Sequence, residues 1–510
     1  MAGYRHALEV MDNDLALGLL ERAAEARPGD FALQTNLSAL KKAAGDLHGA
    51  LRCAAAAIAL APERAEPRYN LGLLKHELGE HAEAEKLFRQ AIGLAPAFEP
   101  AHDSLICLLD QMHGVDAQAM LAQRRQWADR YANLGSGAAH SNNNDAERVL
   151  KIGYVSADFR GHSSAYFLEP LFAQHDASRY RVHCYYNWPH EDAVTQRLKR
   201  LAPFWRDIHA LDDERAAAAI RADGIDVLVD LSGHTVGHRL GVFARRPAPV
   251  QATYLGYLGS TGLPAVRYRI SDARLDPPGL TESTQTETIV RMPRCCICFA
   301  PERGAPPPNR LPALENGALT FGSFNARTKV NEAVLDLWAR LLAEIPGSRL
   351  IMVVDYGGDE TVAKSLRDRF ARAGVDPQRI DVRGRQRLAA FFSLFHEIDV
   401  ALDPFPYNGG TTTYHSLWMG VPVITLAGRW ALARCGLMIL ENAGIPEFVA
   451  RSEAQYLGIA QRCAADLPRL AALRGELRSR FLAAPFADAA GAARALEAAY
   501  RSMWQEWCKR

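Results

Sequence analysis

The sequence predicts two kinds of architecture in one chain: an array of paired helices at the start, followed by two α/β units that face each other across a cleft. Two observations predict this division. The first third repeats itself at a fixed period, whereas the remainder alternates short apolar runs with helix-length stretches. At 510 residues, the chain is also too long for a single hydrophobic core.

Prolines mark the period of the first third. Pro28, Pro62 and Pro96 are spaced by 34 residues, and each follows an Ala-rich helical stretch. Gly45 and Gly79 keep the same spacing. A period of 34 residues is typical of tetratricopeptide repeats, so we expect about three helical hairpins in a repeat domain over residues 1–132. Such a solenoid binds peptides or partner proteins, or serves only as a spacer or dimerisation arm.

The helical pattern fades after Trp127. Residues 133–148 are polar and rich in Gly, Ser and Asn, which predicts a linker. The boundary between the repeats and the α/β part is therefore expected in this segment.

The remainder of the chain reads as two similar units. The strand candidates of the first unit are LKIGYVSADF, YRVHCYYN, IDVLVDLSG, VQATYLGY and TETIVRMP. Those of the second unit are LTFGSFN, SRLIMVV, RIDVRG, DVALDPFP and VPVITLAG, while residues 212–222, 331–344 and 361–373 read as helices. This alternation predicts parallel sheets covered on both faces. A Pro-rich hinge at residues 300–312 separates the units. We expect two Rossmann-like domains facing a cleft, over residues 149–305 and, with C-terminal helices, residues 306–510.

Composition excludes several classes of partner. With 59 basic and 58 acidic side chains, the chain gives no reason to expect a nucleic acid or an anionic membrane as partner. The first residues lack the pattern of a secretion signal, and no apolar run approaches the roughly 20 residues that span a bilayer. These features predict a cytoplasmic protein. No GxGxxG sequence follows the first strand of either unit, which argues against NAD or FAD.

Cysteines are the remaining metal candidates. Cys295, Cys296 and Cys298 lie close together, but a structural zinc site needs four ligands, usually in separated pairs, and the sequence offers no second pair. We therefore expect buried thiols in a strand and no bound metal.

Residues 403–420, DPFPYNGGTTTYHSLWMG, combine a strand end, a glycine turn and a helix start. Gly409 and Gly410 permit backbone torsions that other residues resist. Thr411 and Thr412 follow where the free N–H groups of a helix point outward, so the segment is suited to an anionic group such as a diphosphate. A Thr-capped helix start after a turn is the alternative interpretation.

Ligands of such folds bind beyond the carboxyl ends of the strands, and other strand ends carry polar residues. His162 follows the first strand, and His234 and Thr235, candidates for active-site or acceptor contacts, follow a later strand of the same unit. Asn325 and Lys329 follow the first strand of the second unit. A histidine in such a place is either functional or a hydrogen-bonded structural residue. Lys329, placed opposite the helix start, would be a counter-charge for a departing diphosphate.

Several of these segments together resemble the catalytic region of the O-GlcNAc transferase and SPINDLY family of protein O-glycosyltransferases, and the repeats in front fit that family too. The resemblance covers residues 150–510 and is closer to the SPINDLY branch. It is carried by GYVSADFRGHSSAYF, DLSGHTVGHRLGVFARRPAPVQATYLGYLGSTGLP, FGSFNARTKV and DPFPYNGGTTTYHSLWMGVPVITLAG.

The resemblance implies a metal-independent, inverting glycosyltransferase of GT-B architecture. Such an enzyme moves one sugar from a nucleotide diphosphate donor to Ser or Thr hydroxyls of proteins, which the repeats would help to bind. His162 matches an active-site histidine close to the reacting centre, and Lys329 matches the lysine that neutralises the leaving diphosphate. Thr411 and Thr412 match hydroxyls on its phosphates. The proton acceptor is left open between His162, the donor phosphate and water.

The sequence departs from the family pattern at three positions. His415 stands where animal enzymes have Asp and plant SPINDLY has Glu at the donor ribose, Gly410 replaces a His, and Ala326 replaces a Gln. The expected donor is UDP-GlcNAc, which the wider family favours, and the alternative is GDP-fucose, which SPINDLY uses. A catalytically silent repeat scaffold and an enzyme acting on lipids or small molecules are further alternatives. We expect these residues to bind the donor: Asn325, Gly409, Gly410, Thr411, Thr412 and His415.

Overall fold

The computed structural model describes residues 13–132 and 140–510. The first part of the predicted repeat domain, residues 1–12, and the start of the predicted linker, residues 133–139, lie outside the described residues. Residues 140–149 contain neither helix nor strand. In the part of the chain that the structure describes, no helix combines the length and apolar character needed to cross a membrane. The cytoplasmic location stays a prediction.

Seven helices form the repeat domain over residues 13–132, the part of it that the structure describes. They are α1 (Asn13–Ala26), α2 (Phe31–Ala43), α3 (Leu47–Leu60), α4 (Ala65–Glu77), α5 (His81–Leu94), α6 (Glu99–Leu109) and α7 (Ala117–Tyr131). Helices α2, α4 and α6 begin 34 residues apart, and each pairs with the next helix. Asp30, Asp46 and Asp116 cap α2, α3 and α7 through main-chain N–H groups. Gly45 and Gly79 have φ of 82° and 73°, which explains why glycine recurs at this turn. The predicted helical tetratricopeptide solenoid is confirmed.

The first α/β domain is built on a seven-stranded parallel sheet of order β3-β2-β1-β4-β5-β6-β7. Its strands are β1 (Leu150–Ser156), β2 (Tyr180–Tyr186), β3 (Phe204–Asp207), β4 (Val227–Asp230), β5 (Val250–Thr253), β6 (Tyr268–Asp272) and β7 (Thr288–Met292). Its helices are α8 (Ala165–Phe172), α9 (Ala193–Leu201), α10 (Asp213–Ala222) and α11 (Leu240–Ala244). Central strand β4 is buried throughout, as expected for a sheet covered on both faces.

The second domain repeats this plan with a six-stranded parallel sheet of order β10-β9-β8-β11-β12-β13. Its strands are β8 (Thr320–Ser323), β9 (Arg349–Val353), β10 (Ile380–Arg383), β11 (Val400–Leu402), β12 (Val423–Leu426) and β13 (Val449–Ala450). The helices that follow the first domain up to residue 483 are α12 (Ala313–Asn316), α13 (Glu332–Glu344), α14 (Glu360–Arg372), α15 (Leu388–Leu394), α16 (Thr411–Trp418), α17 (Cys435–Asn442), α18 (Glu453–Ala465) and α19 (Leu467–Ala483). The predicted pair of Rossmann-like domains is confirmed.

Two features of these domains were not predicted. Strands β3, β6 and β13 are additional to the strand candidates. The short runs of β3 and β6 contain charged residues, and β13 has only two residues. Cys295, Cys296 and Cys298 are buried as predicted, but they follow β7 in irregular backbone and do not form a strand. Their burial as thiols is compatible with a purely structural role.

The last helix, α20 (Ala489–Cys508), packs on the first domain although it follows the second in sequence. The hydroxyl groups of Tyr500 and Tyr154 lie 3.0 Å apart. The carboxylate of Glu497 accepts a hydrogen bond of 2.8 Å from the main-chain N–H of Asp176. The chain therefore crosses between the domains twice, and α20 ties the two together.

Candidate active site

The two domains enclose a cavity of about 170 Å³ at the carboxyl ends of their central strands. These are the switch points of both sheets, between β1 and β4 and between β8 and β11, where Rossmann-like folds bind ligands. The first domain lines the cavity with His162, Ser163, Ser164, Phe167, Leu255, Gly256, Leu258 and Ile297. The second domain lines it with Lys329, Tyr407, Asn408, Gly410, Thr411, Tyr414, Leu432 and Cys435.

Asp403, at the end of β11, shapes the glycine turn. One carboxylate oxygen accepts a hydrogen bond of 2.6 Å from the main-chain N–H of Gly409, and the other accepts one of 2.6 Å from the Thr425 hydroxyl. A Cβ atom on Gly409 would lie 2.7 Å from Thr412 Oγ1 and 2.8 Å from Asn325 Oδ1. Glycine is thus required here by close approach of these side chains, rather than by a positive φ.

Helix α16 begins at this turn with a free amino end. Gly410 is its N-cap residue, and no side chain caps the helix among the described residues. Its first N–H groups therefore stay available to an anion. Thr411 lines the cavity, whereas the Thr412 hydroxyl lies behind it and donates a hydrogen bond of 2.7 Å to Asn325 Oδ1. The structure thus gives the two threonines different surroundings.

Lys329 sits on a short turn after β8 and reaches the glycine turn. Its Nζ donates a hydrogen bond of 3.0 Å to the main-chain carbonyl of Asn408 and lies 4.2 Å from the ring centre of Tyr407. Within the described part of the chain, this amine forms no salt bridge, and its hydrogen bond goes to a main-chain carbonyl. The cation is therefore held in place by neutral groups and is free to pair with an anionic ligand.

Burial shifts the pKa values of Lys329 and Asp403, on this side of the cleft. It lowers the pKa of Lys329 below its ordinary value of 10.5, an effect partly offset by Cys435 and Asp403. It raises the pKa of Asp403 to about 7, against the opposing influence of the hydrogen bonds from Thr425 and Gly409. A poorly solvated cation interacts more strongly with an incoming phosphate than an exposed one does.

His162 lies on the opposite wall, in the loop after β1. Its Nδ1 is 3.0 Å from Ser164 Oγ and 3.5 Å from the carboxylate of Asp158. Burial lowers the pKa of His162 below its ordinary value of 6.5, although Asp158 opposes this shift. This shift favours the neutral form of the ring. When Nδ1 carries the proton, Nε2 is left as a hydrogen-bond acceptor.

Six predicted residues do not line this cavity. Three of them, Asn325, Gly409 and Thr412, support the glycine turn through their mutual contacts. The other three, His234, Thr235 and His415, lie elsewhere. His234 is buried against the repeats, where Nδ1 lies 3.2 Å from the carboxylate of Asp103 and Nε2 lies 2.8 Å from the carbonyl of Thr261. The Thr235 hydroxyl donates to the carbonyl of Ser232. Both residues are occupied by internal hydrogen bonds, so the structure brings neither to the cavity.

His415, the third, is 4% exposed and lies among aromatic rings. Its ring centre is 4.9 Å from that of Phe392 and 5.0 Å from that of Tyr166. Burial lowers the pKa of His415 to about 4, so the ring is neutral, and its Nδ1 has no hydrogen-bond partner among the described residues. Its side chain thus lies on the buried face of α16 rather than on the cavity wall.

Sequence reasoning missed some residues that shape the site. Asp403 could have been found, because a carboxylate directly after a buried strand is a strong polar signal. Tyr407, below the Lys329 amine, and Cys435, at the start of α17, carry no pattern of their own. Only the folded chain brings them to the cavity.

A tetratricopeptide array joined to two parallel-sheet domains that meet at such a cavity is the GT-B arrangement with helical repeats in front. Comparison with known families agrees with this class. The family described as "Glycosyl transferase family 41" matches residues 129–298 and 309–493, and a tetratricopeptide repeat family matches residues 65–98. The chain belongs to glycosyl transferase family 41.

Individual relatives agree with this membership. A Petunia hybrida protein, named as a probable UDP-N-acetylglucosamine–peptide N-acetylglucosaminyltransferase SPINDLY, is 39% identical over 396 residues, which cover 75% of this chain and 42% of that protein. The Arabidopsis thaliana protein of the same name is 38% identical over 405 residues, 78% of this chain and 44% of the relative. The chain thus spans less than half the length of these curated relatives.

A solved structure matches the chain over its whole length. It is a mutant of the Thermobaculum terrenum O-GlcNAc transferase, with a TM-score of 0.94 and 35% sequence identity, and the match covers 100% of this chain and 97% of that one. The arrangement of repeats and both α/β domains is therefore shared with that protein.

Proposed function

We propose that the chain is a protein O-glycosyltransferase that moves a single sugar from a nucleotide diphosphate donor to Ser or Thr hydroxyls of proteins. One observation carries the proposal: the Lys329 amine lies in the cleft 3.0 Å from the Asn408 carbonyl, beside the uncapped start of α16. Breaking the bond between sugar and diphosphate builds negative charge on the phosphate. A fixed cation and a helix amino end stabilise that charge.

The proposed reaction is a single displacement. The acceptor oxygen forms a bond to the anomeric carbon while the bond from that carbon to the diphosphate breaks, so the configuration inverts. The hydroxyl proton passes to a base, and the diphosphate leaves with the bonding electron pair. His162 lines the cavity and its lowered pKa favours the neutral form, which suits it as the base; the donor phosphate and water are the alternatives. NMR of the anomeric proton in donor and product tests the inversion.

UDP-GlcNAc is the proposed donor. This is supported by the relatives in family 41, whose printed names describe transfer of N-acetylglucosamine from UDP-N-acetylglucosamine to peptides. GDP-fucose is the second candidate, because the sequence resembles the SPINDLY branch most closely. Titration calorimetry against UDP and GDP separates the two, and we expect UDP to bind at least tenfold more tightly. Tighter binding of GDP would instead favour GDP-fucose as the donor.

We further propose that transfer proceeds without a metal ion. Lys329 and the first N–H groups of α16 supply positive charge at the place where a metal would otherwise neutralise the phosphates. Transfer rates should then be the same in the presence of EDTA and of added Mg²⁺. A rate that collapses with EDTA would reject this part of the proposal.

Protein acceptors are supported by the tetratricopeptide repeats, which occur in protein-binding solenoids. Incubation of the chain with labelled donor and a cell lysate should label proteins rather than lipids or small molecules. Failure to bind UDP and GDP, together with an absence of labelled product, would instead indicate a silent scaffold.

A further inference from the structure

The turn between α6 and α7, residues 110–115, contacts loops of both α/β domains; we call it the third-hairpin turn. It belongs to the repeat domain, yet it packs beside the carboxyl ends of the strands rather than out on the solenoid. Asp110 is fully buried, and Gln111 is 9% exposed. Its contacts reach the loops that carry Lys329 and the glycine turn.

Asn331 makes the contact with the second domain. This side chain follows Lys329 by two residues and is 4% exposed. Its Nδ2 donates a hydrogen bond of 3.0 Å to the main-chain carbonyl of Gln111 and another of 2.6 Å to that of Phe405. One amide thereby joins three segments: the lysine turn, the third-hairpin turn and the loop that leads into the glycine turn.

One ring contact and one hydrogen bond hold the same region. The ring of His113 packs edge-on against that of Phe405, with centres 5.6 Å apart. The Gln111 side chain is in turn fixed from the preceding hairpin, since its Oε1 lies 2.6 Å from Nε2 of His76 in α4. The third-hairpin turn is therefore anchored in the repeats on one side and in the cleft on the other.

The first domain is held through a buried triad. The carboxylate of Asp110 accepts hydrogen bonds from the guanidinium of Arg124 and from the hydroxyl of Tyr257, and Arg124 Nη2 also donates to that hydroxyl at 2.7 Å. Tyr257 lies between Gly256 and Leu258, which both line the cavity. The same repeat turn thus fixes a wall of the cleft in the other domain.

We infer that the third-hairpin turn is a positioning element of the active site, acting through Asn331 on the Lys329 and glycine-turn loops and through Asp110 on the Tyr257 loop. The role in transfer rests on the proposed function. Because each loop is tied to the turn by buried hydrogen bonds, the repeats set the spacing of the catalytic groups besides presenting a surface to acceptors. The site is then incomplete without the third hairpin.

Asn331→Asp tests the contact between the third-hairpin turn and the second domain. Asn331 Oδ1 caps α13 by accepting from Val334 N–H at 3.1 Å, and aspartate preserves such a cap. The substitution removes both hydrogen bonds from Nδ2 and places a carboxylate oxygen against two carbonyl oxygens. Tyr356→Phe is the matched control: its hydroxyl donates to Glu77 at 3.0 Å, a hydrogen bond between the same two domains that lies away from the cavity.

Hydrogen exchange of the free full-length protein is the first readout. We expect amides of residues 403–410 to exchange at least tenfold faster in Asn331→Asp than in the wild type, and to be unchanged in Tyr356→Phe. The affinity for UDP and for GDP is the second readout, and we expect a loss of at least tenfold for whichever nucleotide the wild type binds. Tyr257→Phe is a nearly isosteric change in the contact with the first domain. It should speed the hydrogen exchange of the amides of residues 254–258.

Unchanged exchange in both Asn331→Asp and Tyr257→Phe would overturn the inference, as would an equal rise in the Tyr356→Phe control. The exchange comparison does not depend on any nucleotide. A wild-type protein that binds neither UDP nor GDP would therefore reject the proposed function, while the exchange rates still decide whether the turn fixes these loops.

Discussion

The side-chain amine of Lys329 donates a hydrogen bond of 3.0 Å to the main-chain carbonyl of Asn408. The two residues follow different strands, β8 and β11, which are neighbours in the second sheet. Their contact places a cation immediately before the glycine turn and the start of α16. The proposed diphosphate site is built on this relationship.

Replacing Lys329 with alanine should lower the turnover number about 10²- to 10³-fold, because one preorganised group that stabilises leaving-group charge typically contributes this much. Thermal unfolding should change little, since Lys329 forms no ion pair within the described residues and its burial opposes the charged state. Released nucleotide measures the rate. Lys364→Ala, at an exposed lysine paired with Asp368, is the control and should behave as the wild type. Near-normal turnover of Lys329→Ala would remove the leaving-group argument.

Gly409→Ala should weaken nucleotide binding. The new methyl group would lie within 3.0 Å of the side chains of Thr412, Asn325 and Asp403, so the turn has to shift. We expect at least a tenfold loss of affinity in calorimetry. In Gly410→Ala the methyl group would meet only Cys435 Sγ, at 3.8 Å, so this variant should unfold at the wild-type temperature. Equal affinity of wild type and Gly409→Ala would contradict a rigid turn.

The hydrogen bond from Thr412 to Asn325 should contribute about 1 kcal/mol, the usual net value for such a bond. Thr412→Val removes the hydroxyl at nearly constant volume and should weaken nucleotide binding about fivefold, because the start of α16 is then less firmly held against β8. Thr412→Ser keeps the hydroxyl and should restore affinity. If serine and valine behave alike, the hydroxyl has no part in binding.

Activity should depend on pH with a maximum between two limbs. If His162 is the base, the rate falls as the pH drops through its pKa, which lies below 6.5; it falls again as the pH rises through that of Lys329, which lies below 10.5. Asp403, with a pKa of about 7, also titrates on the acid side. Profiles of kcat/KM against pH test this assignment. His162→Gln should lose the His162 limb, and Lys329→Arg should move the alkaline limb to higher pH.

The repeats and both α/β units were predictable because their signals are local. The spacing from Gly45 to Gly79 reflects a left-handed turn that glycine adopts without strain, and the buried strands read as apolar runs. The same is true of the glycine turn at Gly409, whose sequence lies within one strand-turn-helix unit. Such elements depend on residues that are close together in the sequence, so the sequence alone predicts them.

Contacts between distant segments could not be predicted in this way. His234 and His162 both follow strands of one sheet, yet His234 faces Asp103 of the repeats and His162 faces the cleft. Asn331 showed no sign in the sequence of its bonds to Gln111 and Phe405. Which residue a side chain at a strand end contacts depends on which other domain packs against that end.

The sequence by itself determined the architecture, the family and the segments that could hold an anion, because periodicity, strand alternation and glycine chemistry act over short distances. Only the tertiary structure decided which side chains meet in the cleft. The set of side chains in the cleft depends on how the three domains pack. Burial between domains makes His234 and Asp110 structural contacts. Lys329 is left at the cavity, where it can contact a ligand.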